Sequence, residues 1–254
     1  MNRRQLIQFV AGSVAASSAC KLNSFNGFNG EAANAQKSEK LGKGSVLLFQ
    51  GDSITDCRRE KKKFAERPND ARALGDGYPF FIAGELLREY PAKELKIFNR
   101  GISGNKVPNL KARWEADCLD VKPAVLSILI GVNDIWHKMN GRYDGTVEDY
   151  RTGFTELLEM TRKQLPDVEI VICEPFALRR GAVKDSWYPE FDERRKVAAE
   201  VAEKAKATWV PFQKMFDTAI AAGTDAKVWA PDGVHPSVAG HALMAETWRK
   251  CVGV

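Results

Sequence analysis

The sequence predicts an α/β protein, a parallel sheet of five strands covered by helices on both faces. Three observations lead there. Short apolar runs alternate along the chain with longer stretches of helical periodicity, the pattern of repeated β–α units. Each run is almost unbroken in its apolar character, as a strand buried on both faces requires. Polar clusters rich in Gly, Asn and Asp follow several of these runs, where such folds gather their functional groups. The strands fall at 46–49, 95–98, 124–130, 168–173 and 209–212. A long loop after the first strand is marked by Pro68, Asn69, Asp70, Gly75 and Gly77. Pro79 then opens a helix to about Tyr90, with Ile82, Leu86 and Tyr90 on one face. Further helices are expected over 106–118 and over 191–207. Thr146 is placed to cap a long helix in which Val147, Tyr150, Phe154, Leu157, Leu158 and Leu165 repeat at helical spacing. Pro236 opens the last helix, whose buried side is read as Val238, Ala242, Ala245, Trp248 and Val252.

The N-terminal region reads differently. Arg3 and Arg4 precede a modest apolar run at 6–19, the charged-then-apolar order of an export signal. Asn2-Arg3-Arg4-Gln5-Leu6-Ile7 resembles a bacterial twin-arginine signal. Ala33-Asn34-Ala35 offers a small-residue cleavage site, whereas Ser18-Ala19-Cys20 is a poor lipid-anchoring site without the usual upstream Leu. The expected organisation is a signal at 1–35, a linker at 36–44 and one domain at 45–254, exported to the periplasm or the exterior. No run of about 18 apolar residues predicts a membrane span in the mature chain. Loss of the first 35 residues lowers the net charge from +5 to +3, an excess too small to argue for nucleic acid, and none is expected as a partner. The run Arg58-Arg59-Glu60-Lys61-Lys62-Lys63 reads as a solvated loop. The five cysteines, at 20, 57, 118, 173 and 251, show no zinc spacing, and no metal or cofactor is expected. Self-association and any disulfide pairing stay open at this level.

Four polar clusters carry the chemistry. The first strand ends in Gly51-Asp52-Ser53, the second in Asn99-Arg100-Gly101-Ile102-Ser103-Gly104-Asn105, the third in Gly131-Val132-Asn133-Asp134, and Asp232-Gly233-Val234-His235 precedes the last helix. A serine hydroxyl is a weak nucleophile at neutral pH and needs an adjacent base. Of the three histidines, 137, 235 and 241, His235 stands at a helix start, where an exposed imidazole can work. Asp232, three residues earlier, can fold back on that ring to hold its tautomer and stabilise the imidazolium. Fixed donors for an oxyanion are available from the Ser53 N–H, from the Gly104 N–H in a tight turn, and from the Asn133 amide.

These four blocks resemble those of the SGNH or GDSL hydrolases, over about 46–248. The resemblance matches Ser53, Gly104, Asn133 and His235 to the four residues for which that family is named. It implies a flavodoxin-like three-layer sandwich and a serine esterase with Ser53 as nucleophile, His235 as base and Asp232 behind it. Ile54 stands where the GDSL letters have Leu, an apolar exchange that touches no catalytic role. The stretches 101–107, 111–114, 130–136 and 232–241 are similar to bacterial SGNH acetylxylan esterases, which implies removal of acetyl groups from xylan or xylo-oligosaccharides. Related sequences are often labelled lysophospholipase-like esterases, and a lysophospholipase or thioesterase of the same family is the alternative reading. The loops after the middle strands are polar here (Lys138, Asn140, Arg142, Asp144, Arg179, Arg180, Lys184, Asp185), which favours small acyl groups on polar carriers.

Other residues have plainer readings. Asp52, Asn105 and Asp134 read as loop scaffolding, His241 as a buried and satisfied histidine, and Cys57 as a structural thiol near the nucleophile. Trp136 and Trp229 flank the motif loops and could stack on a sugar face, although aromatic rings at such places also serve as core. A metallohydrolase lacks a ligand set, and a silent carbohydrate-binding domain would not need the full Ser, Gly, Asn, Asp and His constellation.

Overall fold

The computed structural model describes residues 41–63 and 65–254. The expected export signal and most of the linker lie outside the described residues. Leu41, within the stretch read as linker, is buried against the core, and its carbonyl accepts a hydrogen bond from Lys93 Nζ at 2.5 Å.

Five parallel strands form one sheet: β1 (Val46–Gly51), β2 (Lys96–Asn99), β3 (Val125–Leu129), β4 (Glu169–Cys173) and β5 (Thr208–Val210). Their order is β2-β1-β3-β4-β5. The chain therefore steps from β1 outward to β2 and then crosses to the other side of β1 with β3. A doubly wound sheet opens a crevice at that reversal, beyond the carboxyl ends of the two diverging strands.

Strand period separates two cores. Leu47, Phe49, Val125, Leu129, Val171 and Cys173 point into one, and Leu48, Leu126, Ile128, Ile170 and Ile172 into the other. The first is covered by α1 (Ser53–Asp56), α2 (Ala71–Leu74) and α3 (Tyr78–Glu89), together with two later helices. The second is covered by α4 (Val107–Ala112), α6 (Val147–Gln164) and α7 (Glu190–Lys204). Between α4 and α6, α5 (Val132–Met139) follows β3; after β5 come α8 (Phe212–Ala221), α9 (Ala226–Trp229) and α10 (Val238–Val252). Two polar side chains inside strands are satisfied: Ser127 Oγ accepts from Trp248 Nε1 at 2.9 Å, and Gln50 Nε2 donates to Asp117 O at 2.6 Å.

Three elements differ from expectation. The helix anticipated over 106–118 is broken into α4 and a π turn (Glu115–Leu119). At the break Trp114 is fully buried, with its Nε1 donating to Thr161 Oγ1 at 2.9 Å, and Arg113 turns back to Asn105 and Gln50. The last strand ends at Val210, because Pro211 has no N–H for the ladder and Phe212 already belongs to α8. The final helix starts at Val238, with Ser237 as its cap accepting from the Gly240 N–H at 3.1 Å. Its buried face is accordingly His241, Met244, Ala245, Trp248 and Val252, whereas Val238 is 74% exposed and Ala242 also faces out. The long helix is capped as anticipated, Thr146 Oγ1 accepting from the Asp149 N–H at 3.1 Å.

Candidate active site

Ser53 follows β1 directly and is the first residue of α1. Asp52 caps that turn, its Oδ1 accepting the Ile54 N–H at 3.0 Å. N–H groups in a first helical turn have no intrahelical acceptor, so the Ser53 N–H is left for a ligand. The loop ahead of α10 arrives from far along the chain and sets His235 Nε2 2.9 Å from Ser53 Oγ. Asp232 Oδ2 lies 2.7 Å from His235 Nδ1, while its Oδ1 accepts the backbone N–H groups of Val234 at 2.9 Å and His235 at 2.7 Å. A carboxylate on Nδ1 places that proton there and leaves Nε2 as the acceptor facing Ser53. Burial works against ionisation of Asp232, but the hydrogen bonds from the His235 ring and from the two backbone N–H groups outweigh it and hold the carboxyl below its ordinary range.

The glycine loop after β2 is pinned from three sides. Asn99 Oδ1 accepts the Gly101 N–H at 2.9 Å, and its amide donates to Thr55 O and Leu74 O. Asp56 Oδ2 accepts from Ser103 N at 2.9 Å and Ser103 Oγ at 2.6 Å, and Arg59 Nε donates to Gly101 O at 2.7 Å. A side chain at Gly101 would strike the Asp56 backbone nitrogen at 2.4 Å, so only glycine lets this loop lie against α1. Gly104 has φ +80° in a turn closed by Asn105 N–H to Ile102 O at 3.1 Å, a conformation that a turn of this kind reserves for glycine at its third position.

Asn133, on the first turn of α5 after β3, is buried and donates from Nδ2 to Asn105 O at 3.2 Å. One of its two amide hydrogens is thereby used to hold it against the glycine loop, and the other is left for a ligand. Serine after β1 and asparagine after β3 thus flank the crevice that the strand order opens.

Two carboxyls sit directly behind these groups. Asp52 is fully buried, and burial pushes its carboxyl up to about 7. Asp134 is likewise buried and pushed up to about 6, with Oδ1 accepting the Val107 N–H at 3.3 Å. Oδ2 of each is buried without a hydrogen-bond partner. The scaffold roles expected of Asp52, Asn105 and Asp134 match these contacts. In its protonated form, which burial favours, Asp52 sets no negative charge against an anion beside Ser53.

Around this centre the Trp136 ring packs on His235 with centroids 5.9 Å apart, and on Trp187 at 5.8 Å. Trp136 is half-buried. Trp229, in α9, packs against the first core, and its indole N–H is buried without a partner. His137 stands beside the glycine loop, its Cε1 within 3.8 Å of where a Gly104 side chain would begin. His241 is buried as expected, with Nδ1 accepting the Tyr78 N–H at 3.1 Å and Nε2 3.4 Å from Cys57 Sγ. Among the described residues the four cysteines are free thiols, and no group of three or more His, Cys, Asp or Glu could hold a metal.

Arg59 corrects the reading of 58–63 as a solvated loop, since it is only 5% exposed and holds Gly101. Asp56 and Asn99 were not singled out either. Each is an ordinary polar residue after a strand, and what distinguishes it is a partner more than 40 residues away.

A model of the GDSL-like lipase/acylhydrolase family matches residues 49–243. The chain is 36% identical over 220 residues to an acetylxylan esterase from Geobacillus stearothermophilus, covering 84% of this chain and 96% of that one. The crystal structure of an acetylxylan esterase from the same organism superposes with a TM-score of 0.74 at 34% identity, over 85% of this chain and 97% of the other. Two of its solved forms are described as catalytic mutants, one with a serine and one with a histidine replaced by alanine. A structure from Parabacteroides merdae, described as that of a GDSL-like lipase, superposes with a TM-score of 0.80 at 50% identity, over 84% and 97% of the two chains.

Proposed function

The chain belongs to the GDSL-like lipase/acylhydrolase family and is a carboxylic ester hydrolase; on that premise we propose that it removes O-acetyl groups from a carbohydrate of the xylan or xylo-oligosaccharide type through an acyl-enzyme on Ser53. The observation that carries the reading is the unbroken chain from Ser53 Oγ through His235 to Asp232, with contacts of 2.9 and 2.7 Å. That is the arrangement by which a hydroxyl gains a base and the base gains an orienting acid. The acetylxylan esterase relative, matched over almost its whole length, supports the choice of acyl group and carrier.

Ser53 Oγ attacks the acetyl carbonyl carbon while its proton passes to His235 Nε2. The oxyanion of the tetrahedral intermediate is held by the Ser53 N–H, the Gly104 N–H and the Asn133 amide. As the C–O bond to the sugar breaks, His235 returns the proton to the leaving sugar oxygen. Water then attacks the acetyl-Ser53 carbonyl and gives its proton to His235, acetate departs, and that proton restores the Ser53 hydroxyl. Asp232 stays ionised throughout and stabilises the imidazolium. Trp136, half-buried beside His235, offers an indole surface to the sugar. The same role for Trp229 rests on its place in the short helix before Asp232.

Polar loops around the site support a short acyl group in preference to a lipid or thioester chain. Arg142, Asp144, Arg179, Lys184 and Asp185 are all exposed. The N-terminal sequence supports export of the chain, by its twin arginines and apolar run. No helix among the described residues is long and apolar enough to cross a membrane.

Acetate release from acetylated xylan, with the Ser53→Ala protein and lysophosphatidylcholine in parallel, tests the reading. The expected result is Ser53-dependent acetate release with little lipid cleavage, and a fall in kcat of several decades in Ser53→Ala or His235→Ala. Lipid cleavage without acetate release would overturn the substrate. Normal turnover by folded Ser53→Ala would overturn the mechanism.

A further inference from the structure

The carboxyl-end rim of the sheet carries a second concavity beyond the serine. A cavity of about 390 Å³ is lined by Arg179, Tyr188, Asp192, Arg195, Gln213 and Asp217, with Ile220 and Ala226 as apolar wall. Its walls are the segment after β4, the first turns of α7, the inner side of α8 after β5 and the start of α9; the segment after β4 leaves the sheet at the same rim as Ser53, which follows β1. At about 4.8 Å per strand spacing, β4 and β5 lie roughly 10–14 Å from β1, a distance that a short oligosaccharide crosses.

The lining is matched to a neutral, polyhydroxylated ligand. Arg195 is paired with Glu174 and Asp192, and Arg179 with Asp185, so both arginines of the lining are already neutralised and the cavity holds no ready site for an anion. Asp192 uses Oδ1 on Arg195 and Asp217 uses Oδ1 on Gln213, at 2.9 and 2.8 Å. The second oxygen of each carboxylate is thus left for hydroxyl donors. Arg179 lies over the Tyr188 ring, 3.7 Å from its centroid, and Tyr188 is fixed by its hydroxyl donating to Ala177 O at 3.1 Å. A rigid wall of donors and acceptors around an apolar patch suits a pyranose, with its hydroxyl rim and C–H face.

The wall is also the brace of the reactive loop. Leu178, which lines the cavity, donates its N–H to Gly233 O at 2.8 Å, and the Ala182 N–H bonds Asp232 O at 2.8 Å. A ligand in the cavity therefore rests on the segment that holds Asp232 and Gly233 in place.

We propose that this cavity is an accessory subsite that holds a neutral sugar unit of the same chain whose acetyl group is presented to Ser53. The inference rests on the carbohydrate-esterase reading. It makes the enzyme prefer oligosaccharides over monosaccharides through binding, so chain length acts on KM and leaves kcat little changed.

The test compares KM and kcat of the full chain for an acetylated xylose, an acetylated xylobiose and an acetylated xylohexaose. KM is expected to fall by about tenfold at the longest substrate, the gain of one modest subsite. Asp217→Ala should abolish that advantage. Because it also takes a partner from Gln213, Ala226→Leu, which fills the apolar wall and leaves the polar network alone, should do the same. A length advantage that survives both changes, or that is missing from the wild type while every substrate releases acetate, overturns the subsite and leaves the esterase standing. Absence of Ser53-dependent acetate release from all three sugars overturns the reading beneath it, and the subsite falls with it.

Discussion

Asp232 holds His235 at two points: Oδ2 meets ring Nδ1 at 2.7 Å, and Oδ1 accepts the backbone N–H of the same residue at 2.7 Å. One carboxylate therefore sets both the tautomer of the ring and the path of the loop that carries it. The two effects separate by substitution. Asp232→Asn can keep the backbone contacts through its carbonyl oxygen but presents an N–H to Nδ1, favouring the wrong tautomer. Its kcat should fall by about 10²–10⁴ with melting temperature nearly unchanged. Asp232→Ala should match that loss and also melt earlier, by about 1–3 kcal/mol for the unsatisfied loop N–H groups. Steady-state kinetics and thermal unfolding of both proteins check this.

The oxyanion donors predict a second pair of outcomes. Asn133→Ala should lower kcat by about 10²–10³ with little change in KM, because the lost donor acts on charge that develops only in the transition state. Gly104→Ala has space, its nearest neighbour being His137 at 3.8 Å, but φ is +80°. It should cost about 1 kcal/mol of stability and also reduce kcat as the turn relaxes and its N–H moves. Denaturant unfolding measured beside kcat distinguishes the two substitutions.

Two buried groups give stability opposite dependences on pH. His241 is lowered to about 4, by burial first, with His235 and Arg58 adding to it and Asp76 opposing. The unfolded chain then binds the extra proton between about pH 4 and 6.5, so this contribution is complete above 6.5 and is lost as pH falls. The wild-type advantage over His241→Gln should shrink by on the order of 3 kcal/mol from pH 7.5 to 4. Asp52, raised to about 7 by burial, binds the proton in the folded state between about pH 4 and 7. Its contribution is present below that window and is lost as pH rises through it. Asp52→Asn should therefore gain on the wild type from pH 4 to 7, by on the order of 4 kcal/mol at most, while keeping the cap on Ile54. Urea titrations across this range measure both differences.

Cys57 lies four residues beyond Ser53, yet the structure makes it a poor nucleophile. Tyr78 N–H donates to Nδ1 of His241, so the ring proton sits on Nε2, facing Cys57 Sγ at 3.4 Å. That histidine cannot take the thiol proton without losing its bond to Tyr78, and burial, with Asp76 adding to it, pushes the thiol up to about 12. Iodoacetamide at pH 8 should therefore label exposed Cys251 before Cys57, as read by mass spectrometry, with esterase activity retained. Rapid labelling of Cys57 with loss of activity would contradict this.

The fold was legible because its signals are local. Each strand announced itself as an apolar run, to within two residues at its ends, and Thr146 marked the start of the longest helix. The elements misread are those settled by distant partners. Trp114 breaks a helix to enter a core made by other segments, and Val238, the first residue of the last helix, faces outward. The short helix α8 was missed because its apolar residues adjoin the last strand and read as its continuation.

For the site, residue types and spacing within one loop are written in the chain. Gly51-Asp52-Ser53 at a strand end, a turn glycine at 104, Asn133 after a strand, and Asp232 three residues before His235 can all be read without coordinates, because each depends on neighbours a few residues away. What only the tertiary structure decided is the meeting of these parts: Ser53 with His235 across 182 residues, the pinning of the glycine loop by Asp56, Arg59 and Asn99, and the burial that shifts Asp52, Asp134 and His241. Charge, burial and hydrogen bonding at such positions are set by whichever side chains packing brings alongside, and packing is a property of the whole chain.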